Sequence, residues 1–352
     1  MGTYLSARGQ YIQARLLLKQ SLKLRRNLPE NEHTDIASSL DALGTLEYFR
    51  GHYDEAEPLL QQAIKMRKRL LGTEHYDVAL SLFNLGTLYW TQGRYEETEF
   101  LYQEVLAMRR RLLGGEHPHV ADSVAGLAAL FAAQGRYEEA EAYYQEALAM
   151  WKRLLGDSPH PDVAICLSNL AVLYKNQGNY QEAEALLQQV LSAFTQIFGN
   201  NHPNVAQSFN NLATLYVSQE RYGEAETLLQ KALVIRKQLL GNEHPDVALT
   251  LNNLAATYRG QERFDEAEPY MSEALHIWKE SLGENHPNVG LATQNLGMFH
   301  AFQGRTEEAR SLFQQALAIL EPKLGTEHPW TVSCRENLAK LAEKENEEPV
   351  EA

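Results

Sequence analysis

Apolar residues recur every three or four positions along most of this chain, which is the spacing of one face of an α-helix. In the segment 245–260, Leu251, Leu254 and Tyr258 form such a stripe. A short polar break follows, and a second amphipathic stripe begins at Phe264. The pattern therefore predicts pairs of helices joined by a tight turn.

The same helix pair recurs along the chain with a period of 42 residues. A histidine marks the start of each unit, and one spacing of 43 comes from an extra residue in the loop 156–160. The series is His33, His75, His117, His160, His202, His244, His286 and His328. A second series of aromatic residues keeps the same step from Tyr11 to Phe264. Such repetition predicts one continuous solenoid and overrules the two or three domains that 352 residues would otherwise suggest.

The predicted fold is all-α, with a single solenoid over residues 1–342 and seven full helix pairs. The pairs span 34–75, 76–117, 118–160, 161–202, 203–244, 245–286 and 287–328. We call the first helix of a pair the A helix and the second the B helix. A lone B-type helix at 11–28 precedes the pairs, a capping A-type helix at 329–344 follows them, and residues 345–352 are expected to be an acidic disordered tail.

Residues at the helix ends support this division. Proline after most of the histidines suits the first turn of an A helix. A glycine after each B helix, as at Gly114, predicts a left-handed C-terminal cap.

The beginning of the chain is in register with the middle of an A helix. The helix at 11–28 therefore lacks a full partner, and we expect part of an apolar face to be exposed there. That face consists of Leu16, Leu17, Leu18, Leu22 and Leu24. A fragment of a longer protein, or a gene start placed too late, would explain the register. End-to-end self-association through the helix at 11–28 is the alternative.

Composition narrows the possible roles. The net charge of −14 argues against general binding to nucleic acid or anionic membranes, because both need a basic surface. No apolar run is long enough to span a membrane. Two cysteines in 352 residues fit a reducing compartment, so we expect a cytoplasmic protein.

The repeat motifs resemble a known family. The A helices carry Leu-(Gly/Ala)-x-x-Tyr, and the B helices carry two alanines seven residues apart, as at Ala225 and Ala232. These features resemble the tetratricopeptide repeat (TPR). The 42-residue period and the phrase Gly-x-Glu-His-Pro-x-Val-Ala are most similar to kinesin light chain. The resemblance implies a right-handed α-α superhelix whose A helices line a concave groove, and repeats that bind short acidic peptides with an aromatic anchor.

One polar position recurs on the predicted concave face. The residue before the conserved leucine of the A helix is asparagine in six of eight units: Asn84, Asn169, Asn211, Asn253, Asn295 and Asn337. An amide has both a donor and an acceptor, so it matches a peptide backbone. We therefore predict that Asn84, Asn169, Asn211, Asn253 and Asn295 contact a bound peptide. The alternative is that each asparagine bonds to the neighbouring repeat and stabilises the superhelix.

Other residues on the same face suggest the character of the peptide. Tyr48, Phe83 and Trp90 would surround an aromatic or large apolar anchor near the first two repeats. Lys175 and Arg259 would bind an acidic residue. We expect an extended peptide of roughly six to ten residues.

The leading hypothesis is a non-enzymatic adaptor, similar to kinesin light chain, that binds an extended peptide of a partner protein in its concave groove. One alternative is a sensor or autoinhibitory segment of a larger signalling protein, such as a nucleotide-dependent switch or a protease. Another is a scaffold that uses its convex face. No catalytic, nucleotide-binding or metal motif occurs, and the loop histidines lie about 10 Å apart, so we expect no enzyme activity, no cofactor and no metal.

Overall fold

The computed structural model describes residues 9–27, 34–156 and 158–347, with side chains up to residue 343. Within these residues all regular structure is helical, in 16 helices. The B-type helices are α1 (Tyr11–Arg26), α3 (Tyr53–Leu71), α5 (Tyr95–Leu113), α7 (Tyr137–Leu155), α9 (Tyr180–Phe198), α11 (Tyr222–Leu240), α13 (Phe264–Leu282) and α15 (Thr306–Leu324). The A-type helices are α2 (Thr34–Phe49), α4 (Tyr76–Thr91), α6 (Pro118–Ala133), α8 (Pro161–Asn176), α10 (Pro203–Ser218), α12 (Pro245–Gly260), α14 (Pro287–Phe302) and α16 (Pro329–Glu347).

Consecutive helices pack against each other along the chain, so the predicted all-α solenoid is confirmed. The helix α16 ends at Glu347, three residues beyond the predicted 344. Residues 348–352 of the predicted tail, and residues 1–8, lie outside the described residues. None of the helices described combines the length and the apolar character that crossing a membrane requires.

Histidine side chains start seven of the A helices. The ring Nδ1 of His75, for example, accepts a hydrogen bond from the backbone N–H of Asp77 at 3.1 Å. The same bond occurs at His117, His160, His202, His244, His286 and His328. Each bond occupies one backbone N–H that the first helical turn leaves unpaired. This confirms that these histidines serve the starts of helices.

The glycines after the B helices differ from the prediction in one respect. They have positive φ as expected, but Gly114 combines φ 83° with ψ 172°, which is extended rather than left-handed helical. This conformation is almost confined to glycine. It directs the chain away from the helix axis and straight into the next His-Pro segment.

In several B helices a side chain near the end joins the helix to the following A helix. Arg236 donates hydrogen bonds to the Asp246 carbonyl at 3.0 Å and to Thr250 Oγ1 at 2.6 Å. Arg25, Arg67 and Arg109 make equivalent pairs of bonds to a carbonyl and a serine. Where the B helix carries Trp151 instead, Cys166 occupies the position of the hydroxyl residue. Each of these contacts therefore joins one repeat to the next, either through the hydrogen bonds of a guanidinium or through apolar packing.

The first helix exposes apolar surface. Leu16, Leu17 and Leu24 are 60%, 38% and 70% exposed, as predicted. Leu22 is only 7% exposed, so its predicted exposure is wrong. It packs with Ile36 and Leu40 of α2.

The solenoid also closes on itself, which the sequence did not suggest. The turn at Gly51, between α2 and α3, lies against His286 and Pro287 at the start of α14. Gly9 meets His244 in the same way, and Gly93 approaches His328. We call this contact between early turns and late His-Pro segments the seam. The seam closes one turn of the superhelix, and we call this closed turn the ring. The concave face is its inner wall.

Candidate peptide-binding groove

The inner face of α6 carries the smallest side chains on the concave surface. Beyond His119 and Asp122 at its start, the helix presents five further residues to the hollow: Ala125, Gly126, Ala129, Ala132 and Ala133. The equivalent positions of α4 and α8 carry larger residues, among them Phe83, Trp90 and Val172. The third repeat is therefore a depression between two higher neighbours.

This depression is a cavity of about 850 Å³, which we call the groove cavity. Leu80, Phe83 and Trp90 of α4 form one wall, and Ile165 and Val172 of α8 form the other. Trp90, Ile165 and Val172 are 36%, 49% and 39% exposed. Large apolar side chains around an apolar cavity are typical of a site that buries an apolar part of a ligand.

The asparagine column forms a ladder between repeats over much of the groove. The side-chain nitrogen of Asn253 donates to Asn210 Oδ1 at 2.9 Å, and that of Asn295 donates to Asn252 Oδ1 at 2.9 Å. Two further bonds join Asn211 to Ser168 at 2.9 Å and Asn84 to Asp41 at 3.1 Å. The amide nitrogens of four asparagines therefore bond to the neighbouring repeat, as the alternative interpretation expected: Asn84, Asn211, Asn253 and Asn295. Contacts from the rest of these amides to a peptide stay a prediction.

The ladder stops at the third repeat. There Gly126 replaces the asparagine, so α6 has no amide to donate. Ala125 stands where the acceptor for Asn169 would be, and the Asn169 side chain makes no hydrogen bond with any described residue. Asn169 lines the groove cavity. It is therefore the predicted asparagine whose whole amide is available to a ligand.

Polar residues form one rim of the groove cavity, at the His-Pro end of its helices. Asp122 and Asp162 line it, and Tyr76 Oη lies 2.9 Å from His119 Nε2. Burial, together with the neighbouring charge of Asp162, raises the pKa of Asp122. A ligand carboxylate next to these two groups would be repelled.

The two predicted basic residues lie further along the concave face. Lys175 neighbours Asn176 of the groove cavity, is half-buried, and has no acidic partner among the described residues. Burial lowers its pKa. Arg259 is also half-buried, and its guanidinium donates to the sulfur of Met298 at 3.6 Å. Burial lowers the pKa of Arg259 as well. A carboxylate would stabilise either cation.

The predicted aromatic residues do not all share one site. Phe83 forms the wall of the groove cavity and stacks on Tyr102 with ring centroids 4.9 Å apart. Trp90 lines both this cavity and the seam. Tyr48 lies at the seam instead, where its hydroxyl is 3.1 Å from Thr91 Oγ1. Phe83 and Trp90 therefore share the groove cavity, whereas Tyr48 lies outside it and meets Trp90 only at the seam.

One cluster in the described residues has the composition of a metal site. Glu47, His52 and Glu55 place their ligand atoms close together. However, the Glu47 carboxylate already accepts hydrogen bonds from Arg15, Arg50 and His52. Burial alone would raise the pKa of Glu47, but these bonds lower it. The cluster is explained as an ion-pair network that holds α1 against the first repeat.

The groove cavity was missed at the level of sequence, although its signal was present. Gly126 is one of the two A-helix positions at which the sequence interrupts the asparagine column. Alignment of all five inner positions across the repeats would have shown that α6 alone carries only alanine and glycine there.

Comparison with known proteins agrees with the repeat structure. The family model described as tetratricopeptide repeat matches residues 1–69, 53–111, 77–153, 123–195, 162–238, 218–277, 246–321 and 290–352. The chain belongs to the tetratricopeptide repeat family. It is thus a TPR solenoid, a fold for protein interaction. No curated protein sequence matches the chain.

Several solved structures are similar to this chain. BtubC (BKLC) from P. vanneervenii is 24% identical over 66% of this chain and 92% of its own, with a TM-score of 0.53. A putative kinesin light chain from Podospora anserina is 28% identical over 59% of this chain and 98% of its own, with a TM-score of 0.46. A Rap protein complexed with competence and sporulation factor is 12% identical, covers 98% of this chain and 97% of its own, and has a TM-score of 0.60. At this identity the Rap likeness concerns the fold alone.

Proposed function

We propose that this TPR protein is a non-enzymatic adaptor that binds an extended peptide of a partner protein in its concave groove, as in kinesin light chain-like repeats. The observation that carries the proposal is the groove cavity. It combines about 850 Å³ of space, exposed apolar walls and the available amide of Asn169. A peptide can fill the space between the apolar walls with one of its side chains, and its backbone can form hydrogen bonds with the amide.

The chemistry of the groove defines the peptide further. A large apolar or aromatic side chain enters between Phe83 and Val172, above the small side chains of α6. An acidic residue lies on the Lys175 side of this anchor, because the opposite rim carries Asp122 and Asp162. Burying such an anchor contributes about 1.5–3 kcal/mol, and each backbone hydrogen bond adds about 1 kcal/mol. These contributions suit affinities in the micromolar range.

A peptide array tests the proposal without knowledge of the natural partner. Peptides of six to ten residues are presented to the purified chain, and retained sequences are then examined by hydrogen exchange. We expect the retained peptides to share one large apolar residue with an acidic residue at a fixed distance from it. Protection should appear in α4, α6 and α8. Retention of no peptide, or protection confined to the B helices, would overturn the proposal and favour a scaffold that uses its convex face.

A further inference from the structure

The seam repeats with a fixed register. Gly9 faces His244, Gly51 faces His286 and Gly93 faces His328, so each pair is separated by the same 235 residues. This separation is between five and six repeats. Successive turns of the superhelix therefore meet in the same way at three places, which makes the seam a property of the repeat and not a chance contact.

Close approach at the seam depends on glycine. A Cβ atom added to Gly51 would lie 2.7 Å from His286 Cδ2 and 3.0 Å from Pro287 Cδ. Turns outside the seam are not restricted in this way, because a Cβ atom on Gly135 would meet nothing within 4 Å. Two such turns even carry glutamate at positive φ, at Glu220 and Glu262. The seam is therefore too tight for a side chain at Gly51, whereas a Cβ atom on Gly93 would lie 3.6 Å from His328 Cδ2, an ordinary contact distance.

The contacts across the seam are fewer than those between neighbouring helices, and they combine apolar with polar groups. Tyr53 of α3 and Leu324 of α15, for example, belong to one buried apolar cluster. His286 is 8% exposed and donates a hydrogen bond to the backbone of Phe49. Lys323 Nζ lies 3.8 Å from a carboxylate oxygen of Asp54, whose side chain is 89% exposed, so this pair contributes little. A second cavity of about 540 Å³ remains between the turns, lined by Tyr48, Phe49 and Trp330 among others. An interface packed this loosely opens before the helix pairs separate.

The seam and the proposed binding site share a wall. Trp90 and Ala133 line both the cavity at the seam and the groove cavity. A ligand side chain that packs against Trp90 in the groove cavity therefore contacts a residue that also lines the seam.

We propose that the seam is a gate: the ring opens there to admit a peptide into the groove and closes around it, with Trp90 coupling occupancy of the groove to closure. This inference rests on the proposed peptide-binding function. Binding stabilises the closed ring only by as much as the peptide prefers it over the open ring.

A pair of glycine substitutions tests the gate. Gly51→Val places a side chain in the seam, whereas Gly135→Val imposes the same strain at an equivalent turn outside it. Spin labels on cysteines at Gln62 and Glu284, both exposed, measure the distance across the seam, since Cys166 and Cys334 are buried. We expect a narrow distance distribution for the labelled parent and for Gly135→Val, and a longer, broad one for Gly51→Val. A broad distribution in the labelled parent, or no change in Gly51→Val, would overturn closure of the ring.

Peptide kinetics then separate the gate from the binding function. With a peptide retained on the array, Gly51→Val should release it about tenfold faster than Gly135→Val does, because the open ring loses the closing contacts. Equal release rates, together with an open distance distribution, would overturn the gate and leave the binding function intact. If no peptide binds to any variant, the binding function fails and the gate fails with it, although the distances still decide whether the ring closes.

Acid provides an independent way to open the seam. Burial lowers the pKa of His286 to about 4, and His52 and Lys323 face it with the same sign of charge. In an open seam this histidine titrates near 6.5, so the closed ring is favoured above that pH and loses this advantage as the pH falls toward 4. We expect the labelled distance to broaden over that interval while helix content, followed by circular dichroism, stays constant. His286→Asn, which keeps a residue suited to the helix start, should broaden less. An identical acid response in this variant would show that His286 does not control the seam.

Discussion

The two halves of the concave face differ in what fills the space between repeats. From α10 to α14, asparagine amides bond across each boundary, as Asn253 does to Asn210, and the wall is continuous. From α4 to α8, the amide is missing at Gly126, the acceptor is missing at Ala125, and a cavity opens. The small side chains at these two positions therefore leave the inter-repeat hydrogen bonds unmade and the space between the repeats unfilled. The third repeat is available to a ligand because the hydrogen bonds between asparagines are interrupted there.

Filling the groove cavity should have the largest effect on peptide binding. Ala129→Phe places a ring in the groove cavity, and Ala256→Phe places the same ring at the equivalent position of α12 as a matched control. We expect the first variant to bind the array peptide about 100-fold more weakly, because its anchor can no longer be buried. Isothermal titration measures the affinities. An equal loss in both variants would show that the cavity has no special role.

The fold could be predicted from the sequence almost completely, whereas the site could be predicted only in part. Period, helix type and helix ends depend on local patterns, and these are repeated eight times. The partners of the asparagines depend on which residue the neighbouring repeat offers. Asn253 faces Asn210, but Asn169 faces Ala125, so the same residue type has two roles. Closure of the ring depends on small rotations summed over between five and six repeats, which no local pattern reveals.

Charge on the concave face gives a second, smaller effect. Lys175→Met removes a half-buried cation that has no acidic partner among the described residues. We expect about tenfold weaker binding of a peptide with its acidic residue intact, and little change for the same peptide with that residue amidated. If the variant weakens both peptides equally, Lys175 contributes only packing and the acidic preference is wrong.

The smallest predicted effects sharpen the contrast between the two kinds of asparagine. Asn253→Ala leaves the Oδ1 of Asn210, a residue only 4% exposed, without its donor and should lower the free energy of unfolding by about 1 kcal/mol. The higher helix propensity of alanine offsets part of this loss. Asn169→Ala breaks no bond with a described residue and should leave stability unchanged while weakening peptide binding. Thermal denaturation and titration of both variants decide between these roles. A reversed pattern would make Asn253 the peptide contact.

The central claim is that a peptide anchors in the groove cavity of the third repeat. A photoreactive benzoylphenylalanine in place of the anchor of an array peptide, followed by mass spectrometry of the cross-linked chain, tests this claim most directly. We predict cross-links to α4, α6 and α8, with Trp90 and Val172 among the modified residues. Cross-links confined to α10, α12 and α14, or to the B helices, would contradict it.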